Sequence, residues 1–377
     1  MYLLEHDAKE ILSAHGIPTP AGVLIESTDA ISASALPPGP WVVKAQVAAG
    51  GRGKAGAIRR AATLSETKDL ATSIIGMGMR GRRVNAARIE QAVDGAQEAY
   101  LSLLLDPASA RVRVIVSARG GMDIEKVPRE QIFGTLVRPD TPSLVQGVHE
   151  VTRSLPSEIA AATRQAGERA ARAFVALEAL LVEINPLFVL EDGRWVAGDA
   201  KLVVDDNALA RQPGLRALLE HRAAAYPETA LKLQYGFDYV VVDPEGEIGL
   251  LTTGAGLSMM LIDEMREAGL RPYNFLDIRT GGLRGEIARL VSVLEWIADG
   301  PRVRVLLVNI FAGITDLAEF SRLLVEALAA VPRLKVPVVA RLVGNGLPAA
   351  REVLAAAGIL LLVDLDDALA AVRKQLA

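Results

Sequence analysis

The chain has 377 residues, 51% of them hydrophobic, which is more than one compact core usually holds, so two or three domains are expected. Its 41 basic and 45 acidic residues leave a net charge of −4, which gives no support to nucleic-acid binding, where a basic excess is the rule. It contains no cysteine, so disulfides, thiolate metal sites and cysteine nucleophiles are excluded, and a reducing compartment fits.

The opening segment, MYLLEHDAKEILSAHG, carries charges through its first ten residues and lacks the apolar stretch of a secretion signal. Leu3, Leu4, Ala8, Ile11 and Leu12 fall on one helical face, and Gly16 closes the helix. No apolar run approaches the roughly 18–20 residues of a membrane span, so a cytoplasmic protein without a membrane partner is expected. PWVVKAQV (40–47) reads as a buried strand that enters the glycine-rich loop AAGGRGKAGAI and returns as a strand. SETKDLATSIIGM (65–77) has helical spacing, with Ser65 and Lys68 as an imperfect capping pair. ARIEQAV, EAYLSLLLD and RVRVIVSARGG read as strands, the last two as a meander, and residues 156–179 as a long amphipathic helix. Then come the strand LLVEINPLFVL (180–190), a turn at Glu191-Asp192-Gly193, and a strand through RWVAGDAKLVV.

Composition shifts around 221–235, which places a domain boundary near residue 230. Beyond it, strands, glycine turns and helices alternate, as in a parallel sheet covered on both faces. Ligands of such sheets bind beyond the carboxyl ends of the strands, which brings together the turns at 252–256, 279–285, 311–316 and 343–347.

Three groups of residues could carry chemistry. In the first, Lys44 precedes GGRGKAG (50–56), where glycines let the backbone approach an anion and Arg52 and Lys54 supply charge. A flexible basic loop is the alternative, and the order of a P-loop is absent. In the second, Glu183 and Asn185 share one face of their strand, because side chains alternate. A three-residue loop with Gly193 in the left-handed position sets Asn185 opposite Asp199, whereas a two-residue loop turns Asp199 away. An amide oxygen and a carboxylate so placed suit Mg²⁺, completed by phosphates and water; the alternative is the polar outer face of a hairpin. The third group is the set of glycine turns before helices in the second half, which are either anion sites or ordinary turns.

In order along the chain, EHDAKEIL, GIPTPAG, WVVKAQVAAGGRGKAG, GGMDIEKV, EINPLFVLEDGRWVAGDAKLVVDDNALARQP, GEIGLLTTGAGLSMMLID, NFLDI and VLLVNIFAGI resemble the beta subunits of succinate–CoA ligase. Those of malate–CoA ligase are similar too, and both lie in the ATP-grasp superfamily. The resemblance implies an α/β fold with an N-terminal ATP-grasp domain (1–230, with a lid at about 20–100) and a C-terminal flavodoxin-like, parallel-sheet CoA-ligase domain (231–377). It implies reversible conversion of a dicarboxylic acid, ATP and CoA to acyl-CoA, ADP and phosphate. The phosphohistidine and most of the CoA site would belong to an alpha-subunit partner, in a heterodimer or heterotetramer.

Carried over by position, Lys44, Gly51, Arg52, Gly53, Lys54, Glu90, Val93 and Glu98 would bind the nucleotide, and Asn185 and Asp199 would bind Mg²⁺. Glu183 would be catalytic, meeting the phosphohistidine, and Thr253, Gly313, Ile314 and Thr315 would meet the acid. The departures lie mainly in the second half: Thr253 where relatives have asparagine, Arg279 and Thr280 where they have glycines, and Asp316 where arginine is frequent. Ala48 also stands where a histidine is common. A carboxylate in place of a cation leads to the expectation of an acid other than succinate, or of relaxed specificity. Malate is one alternative substrate, and a paralogue that binds nucleotide without turnover is another reading.

Overall fold

The computed structural model describes residues 1–79, 82–278, 287–313 and 316–377. It divides into two compact units, Met1–Ala217 and Leu218–Ala377, so residues 218–230, grouped with the first domain on sequence grounds, cluster with the second.

The first unit opens with a helix, Glu5–Ala14, followed by Gly16 at φ +79°. A four-stranded antiparallel sheet follows, in the order Gly22–Ile25, Ala86–Gln91, Trp41–Gln46, Ile58–Ala61. Val43, Ala45, Ala87 and Ile89 form its buried side, packed with Ala71 and Ile74 of the helix Leu64–Ile74. That helix starts one residue before the sequence reading has it. Its capping box joins Thr63 and Glu66, not Ser65 and Lys68, because Thr63 Oγ1 accepts from Glu66 N and the Glu66 carboxylate accepts from Thr63 N.

A second antiparallel sheet has the order Trp195–Ala197, Ala179–Val189, Gln97–Asp106, Arg111–Ser117, Ile132–Val137, and Ala200–Val204 also pairs with Ala179–Val189. Two helices, Thr141–Thr152 and Ser157–Ala176, pack on each other through Gly167, whose missing side chain leaves room for Val148. Strand 132–137 and helix 141–152 are additions to the sequence reading, which names no element there. The helix has plain signals all the same: Asp140 caps it by accepting from Ser143 N, and Pro142 sits in its first turn.

The strand Ala179–Val189 is bulged. Toward Gln97–Asp106 it pairs Ile184 with Leu101 but Leu187 with Ala99, so one extra residue lies between. Burial records the same slip: Val182 and Ile184 are buried, then Leu187 and Val189, which leaves Glu183, Asn185, Pro186 and Phe188 on the opposite face. On its other side the register is continuous from Leu181 to Val189, with Ile184 opposite Ala200 and Leu187 opposite Ala197. The turn between is the three-residue loop Glu191-Asp192-Gly193, with Gly193 at φ +80° and Leu190 N donating to Arg194 O. Asn185 therefore lies opposite Asp199.

The second unit holds a parallel sheet in the order Ile248–Thr252, Val305–Ala312, Val338–Gly344, Leu360–Leu362. The strand Asn274–Asp277 lies beside the first of these, and the Asn274 amide takes the place of ladder bonds: Leu250 N donates to Oδ1 and Nδ2 donates to Leu250 O. Its backbone pairs on the other side with Asp238–Val241. With that strand first and Ile248–Thr252 second, the order is that of a flavodoxin-like sheet. Among the described residues no helix is long and apolar enough to cross a membrane.

Candidate active site

In the first unit a cavity of about 950 Å³ is lined by Lys44, Gly51, Arg52, Gly53, Lys54, Glu90, Val93 and Glu98. Glu183, Asn185 and Asp199 line it as well, so all eleven residues singled out for nucleotide, metal and phosphoryl chemistry share one space. Strand alternation and the bulge bring the last three there; the glycine loop and the small sheet bring the others.

The cations of this wall are not loose. Lys44 Nζ lies 2.9 Å from Glu5 Oε1, 2.7 Å from Glu90 Oε1 and 2.6 Å from Gly198 O. Lys9 Nζ faces the same partners: Glu5 at 2.8 Å, Glu90 at 2.7 Å and Gly198 O at 2.8 Å. Two lysines and two carboxylates thus alternate in a buried ring, with one carbonyl bonded by both ammonium groups. Gly198 is required there, since a Cβ would sit 2.3 Å from the Phe188 ring. Glu5 gives its other oxygen, Oε2, to Arg52 Nη1 at 2.5 Å, and Arg52 Nη2 grips both oxygens of Asp199 at 2.8 and 2.9 Å. Arg88, also buried, adds a 2.8 Å bond to Glu90 Oε2.

The charges set one another's protonation. Burial pushes the Glu5 carboxyl up, but Arg52, Lys44 and Lys9 outweigh it and hold Glu5 well below the usual carboxylate range. Glu90 is held down in the same way, burial being outweighed by Lys44 and Lys9. Burial works against the Lys44 ammonium too, yet Glu5 and Glu90 keep its pKa above the ordinary lysine value.

Glu183 accepts a hydrogen bond of 2.9 Å from the Tyr100 hydroxyl, on the neighbouring strand. Burial, then the Glu183 charge, push the Tyr100 pKa up, so the phenol stays a donor. Asn185 Oδ1 accepts from Gly121 N at 2.8 Å and its Nδ2 donates to Met122 O at 2.9 Å, which ties the loop after strand Arg111–Ser117 over the cavity. Asp123 of that loop pairs with Lys54 of the glycine loop.

Asn185 and Asp199 fit the chemistry of a Mg²⁺ site in part: they are two hard oxygen donors, opposite in register and on one cavity wall. Among the described residues no group of three or more carboxylate or histidine side chains could hold a metal alone, so phosphates and water would complete the shell.

Sequence reasoning missed Glu5, Lys9, Tyr100 and Asp123. Tyr100 was accessible in part, because Glu98, Tyr100 and Ser102 alternate with the buried Leu101 and Leu103.

In the second unit, Thr253 and Gly313 follow adjacent parallel strands at their carboxyl ends. Ile314 and Thr315, with Arg279 and Thr280, lie outside the described residues. Asp316 is accounted for by its own helix. Its Oδ1 accepts from Glu319 N at 2.9 Å as the N-cap of Leu317–Ala330, and its Oδ2 lies against Gly346. Its carboxylate is thus engaged as a helix cap. Asp316→Ala should lower stability by about 0.5–2 kcal/mol without changing the affinity for an acid substrate, as read by thermal melting and saturation kinetics.

Residues 2–189 match the ATP-grasp domain family and residues 251–374 the CoA-ligase family. The chain is 40% identical over 363 residues to the succinate–CoA ligase [ADP-forming] subunit beta of Chloroflexus aurantiacus, covering 94% of this chain and 93% of that protein. It is 36% identical over 374 residues to the protein of the same name from Ignicoccus hospitalis, covering 98% and 97%. Among solved structures, ATP citrate lyase from Methanothrix soehngenii shares the fold, with a TM-score of 0.66, 17% identity and coverage of 96% of this chain and 95% of that one. Matched over nearly its full length and in both of its domains, the chain belongs to the family of ADP-forming succinate–CoA ligase beta subunits.

Proposed function

We propose that this chain is the nucleotide-binding subunit of an ADP-forming acid–CoA ligase. It would act with a CoA-ligase alpha subunit to convert a dicarboxylic acid, ATP and CoA to acyl-CoA, ADP and phosphate. The observation that carries the reading is the convergence of the three cations Lys44, Arg52 and Lys54 with Glu183, Asn185 and Asp199 on one cavity. Cations of this kind neutralise the charge of a phosphoryl group in transfer, which is most of what such catalysis requires. Mg²⁺, held by Asn185 and Asp199 with the nucleotide phosphates, would add to that neutralisation. Glu183 has the role of receiving the imidazole of the partner's phosphohistidine: its carboxylate accepts a ring N–H and stabilises the charged form. Tyr100 fixes the carboxylate for that purpose.

The acid is taken to be a succinate-type dicarboxylate, with malate the nearest alternative. The test is co-expression with an alpha subunit and measurement of acid- and CoA-dependent ADP formation over a panel that includes both acids. ADP formation with a dicarboxylate supports the reading. Nucleotide binding without ADP formation from any acid would replace it with a non-catalytic role. Asp199→Asn should raise the Mg²⁺ concentration needed for half-maximal ADP binding by about tenfold or more, measured by calorimetry on this chain.

A further inference from the structure

The second cation of the buried ring, Lys9, has no part in the assignments above. It is fully buried, does not line the cavity, and comes from the N-terminal helix, whereas Lys44 comes from the small sheet and lines the cavity. Yet both ammonium groups have Glu5, Glu90 and Gly198 O within 2.9 Å. An ammonium has three N–H groups, so Lys44 already has as many acceptors as it can serve. A phosphate oxygen arriving from the cavity can bond Lys44 only if one acceptor is given up. The acceptors that would be given up are the Oε1 atoms of Glu5 and Glu90, which Lys44 and Lys9 share; Arg52 and Arg88 hold only the Oε2 atoms, and a buried acceptor left without a donor costs its desolvation. Lys9 removes that obstacle, because it touches both carboxylates and the carbonyl at once.

We propose that Lys9 is a positioning residue of the phosphoryl site. It holds Glu5, Glu90 and Gly198 O in place so that Lys44 can exchange a carboxylate for an incoming phosphate oxygen. The inference rests on the nucleotide-binding role proposed above. It gives Lys9 an effect on nucleotide affinity that passes entirely through Lys44.

The experiment is a double-mutant cycle read by ADP and ATP binding to the full chain, with Lys9→Met, Lys44→Met and the double variant. Lys9→Met is expected to weaken binding tenfold or more, since Lys44 is then the only lysine shared by both carboxylates and stays drawn to them. In the Lys44→Met background the same change should have less than a twofold effect. A purely structural role would give losses that multiply across the cycle, and that result overturns the proposal, as does unchanged affinity in Lys9→Met. Should Lys9→Met fail to fold, the cycle is run in a Glu5→Gln background, where Lys9→Met removes a second charge of opposite sign and Glu90 is still shared by both lysines. Multiplying losses there overturn the proposal in the same way. A wild-type chain that binds neither nucleotide overturns the functional reading and this inference together, whereas wild-type binding with multiplying losses overturns the inference alone.

Discussion

Glu183→Gln should lower acid-dependent ADP formation by the reconstituted enzyme by about 10²–10³-fold, the range for loss of one preorganised charge-stabilising group. Nucleotide affinity of the chain alone should stay within about twofold, because the affected step comes after nucleotide binding. The substitution keeps the size of the side chain and an oxygen for the Tyr100 hydroxyl, so the strand and its bulge are undisturbed. What it removes is the negative charge facing the cavity. Tyr100→Phe is the graded companion. It deletes one 2.9 Å hydrogen bond and leaves the charge, so a loss of about five- to tenfold is expected, equivalent to about 1–1.5 kcal/mol. Equal losses for the two variants would mean that Glu183 acts through its contact with Tyr100 and not through its charge.

The second large effect concerns stability. Glu5 is the carboxylate shared by Lys9, Lys44 and Arg52, all three buried. Glu5→Ala should destabilise the first unit by about 3–5 kcal/mol, the usual result of stranding buried charge, measured by urea denaturation of the full chain. The same group gives the chain an acid limit. The folded pKa of Glu5 lies well below its ordinary value of 4.5, and that of Glu90 is also lowered. The folded state therefore binds fewer protons than the unfolded chain, so stability rises with pH in the window between the two pKa values. The contribution is fully present above about pH 4.5 and is lost as pH falls through the folded values. Melting temperature should accordingly change little from pH 7 to about 5 and fall steeply below about 4.5. In a Glu5→Gln variant the fall should be shallower, because one of the two titrating carboxylates is gone.

The parts of the molecule legible in the sequence were those whose determinants are close together in the chain. Gly193 in third place of its turn fixed the hairpin register, and the register set Asn185 opposite Asp199. The alternation of glycine turns and helices gave the parallel sheet of the second unit. The ring was illegible for the opposite reason. Glu5 and Lys9 stand four apart on a helix, the spacing of an ordinary surface ion pair, and nothing local indicates that Lys44 and Glu90 fold onto them. Glu90, taken for a nucleotide contact, lines the cavity but bonds Lys9, Lys44 and Arg88. The bulge lies between these cases. Pro186, which has no N–H for a ladder, was a signal that pairing is interrupted there, but the direction of the slip depends on the partner strand.

The arrangement around Asn274 bears on self-association. A parallel sheet ends in two rows of unpaired backbone groups, each a template for another chain. On one side of the second unit, the strand Asn274–Asp277 is joined to Ile248–Thr252 by the Asn274 amide and by backbone bonds at its two ends, and its far edge is covered by Asp238–Val241. On the other side the last strand, Leu360–Leu362, is only three residues long, although Leu360 is half exposed. The outermost strands are thus short on both sides, four residues in Asp238–Val241 and three in Leu360–Leu362, which makes each a poor template for a neighbour. The long apolar strands therefore lie in the interior of the sheet, and only short ones stand at its ends.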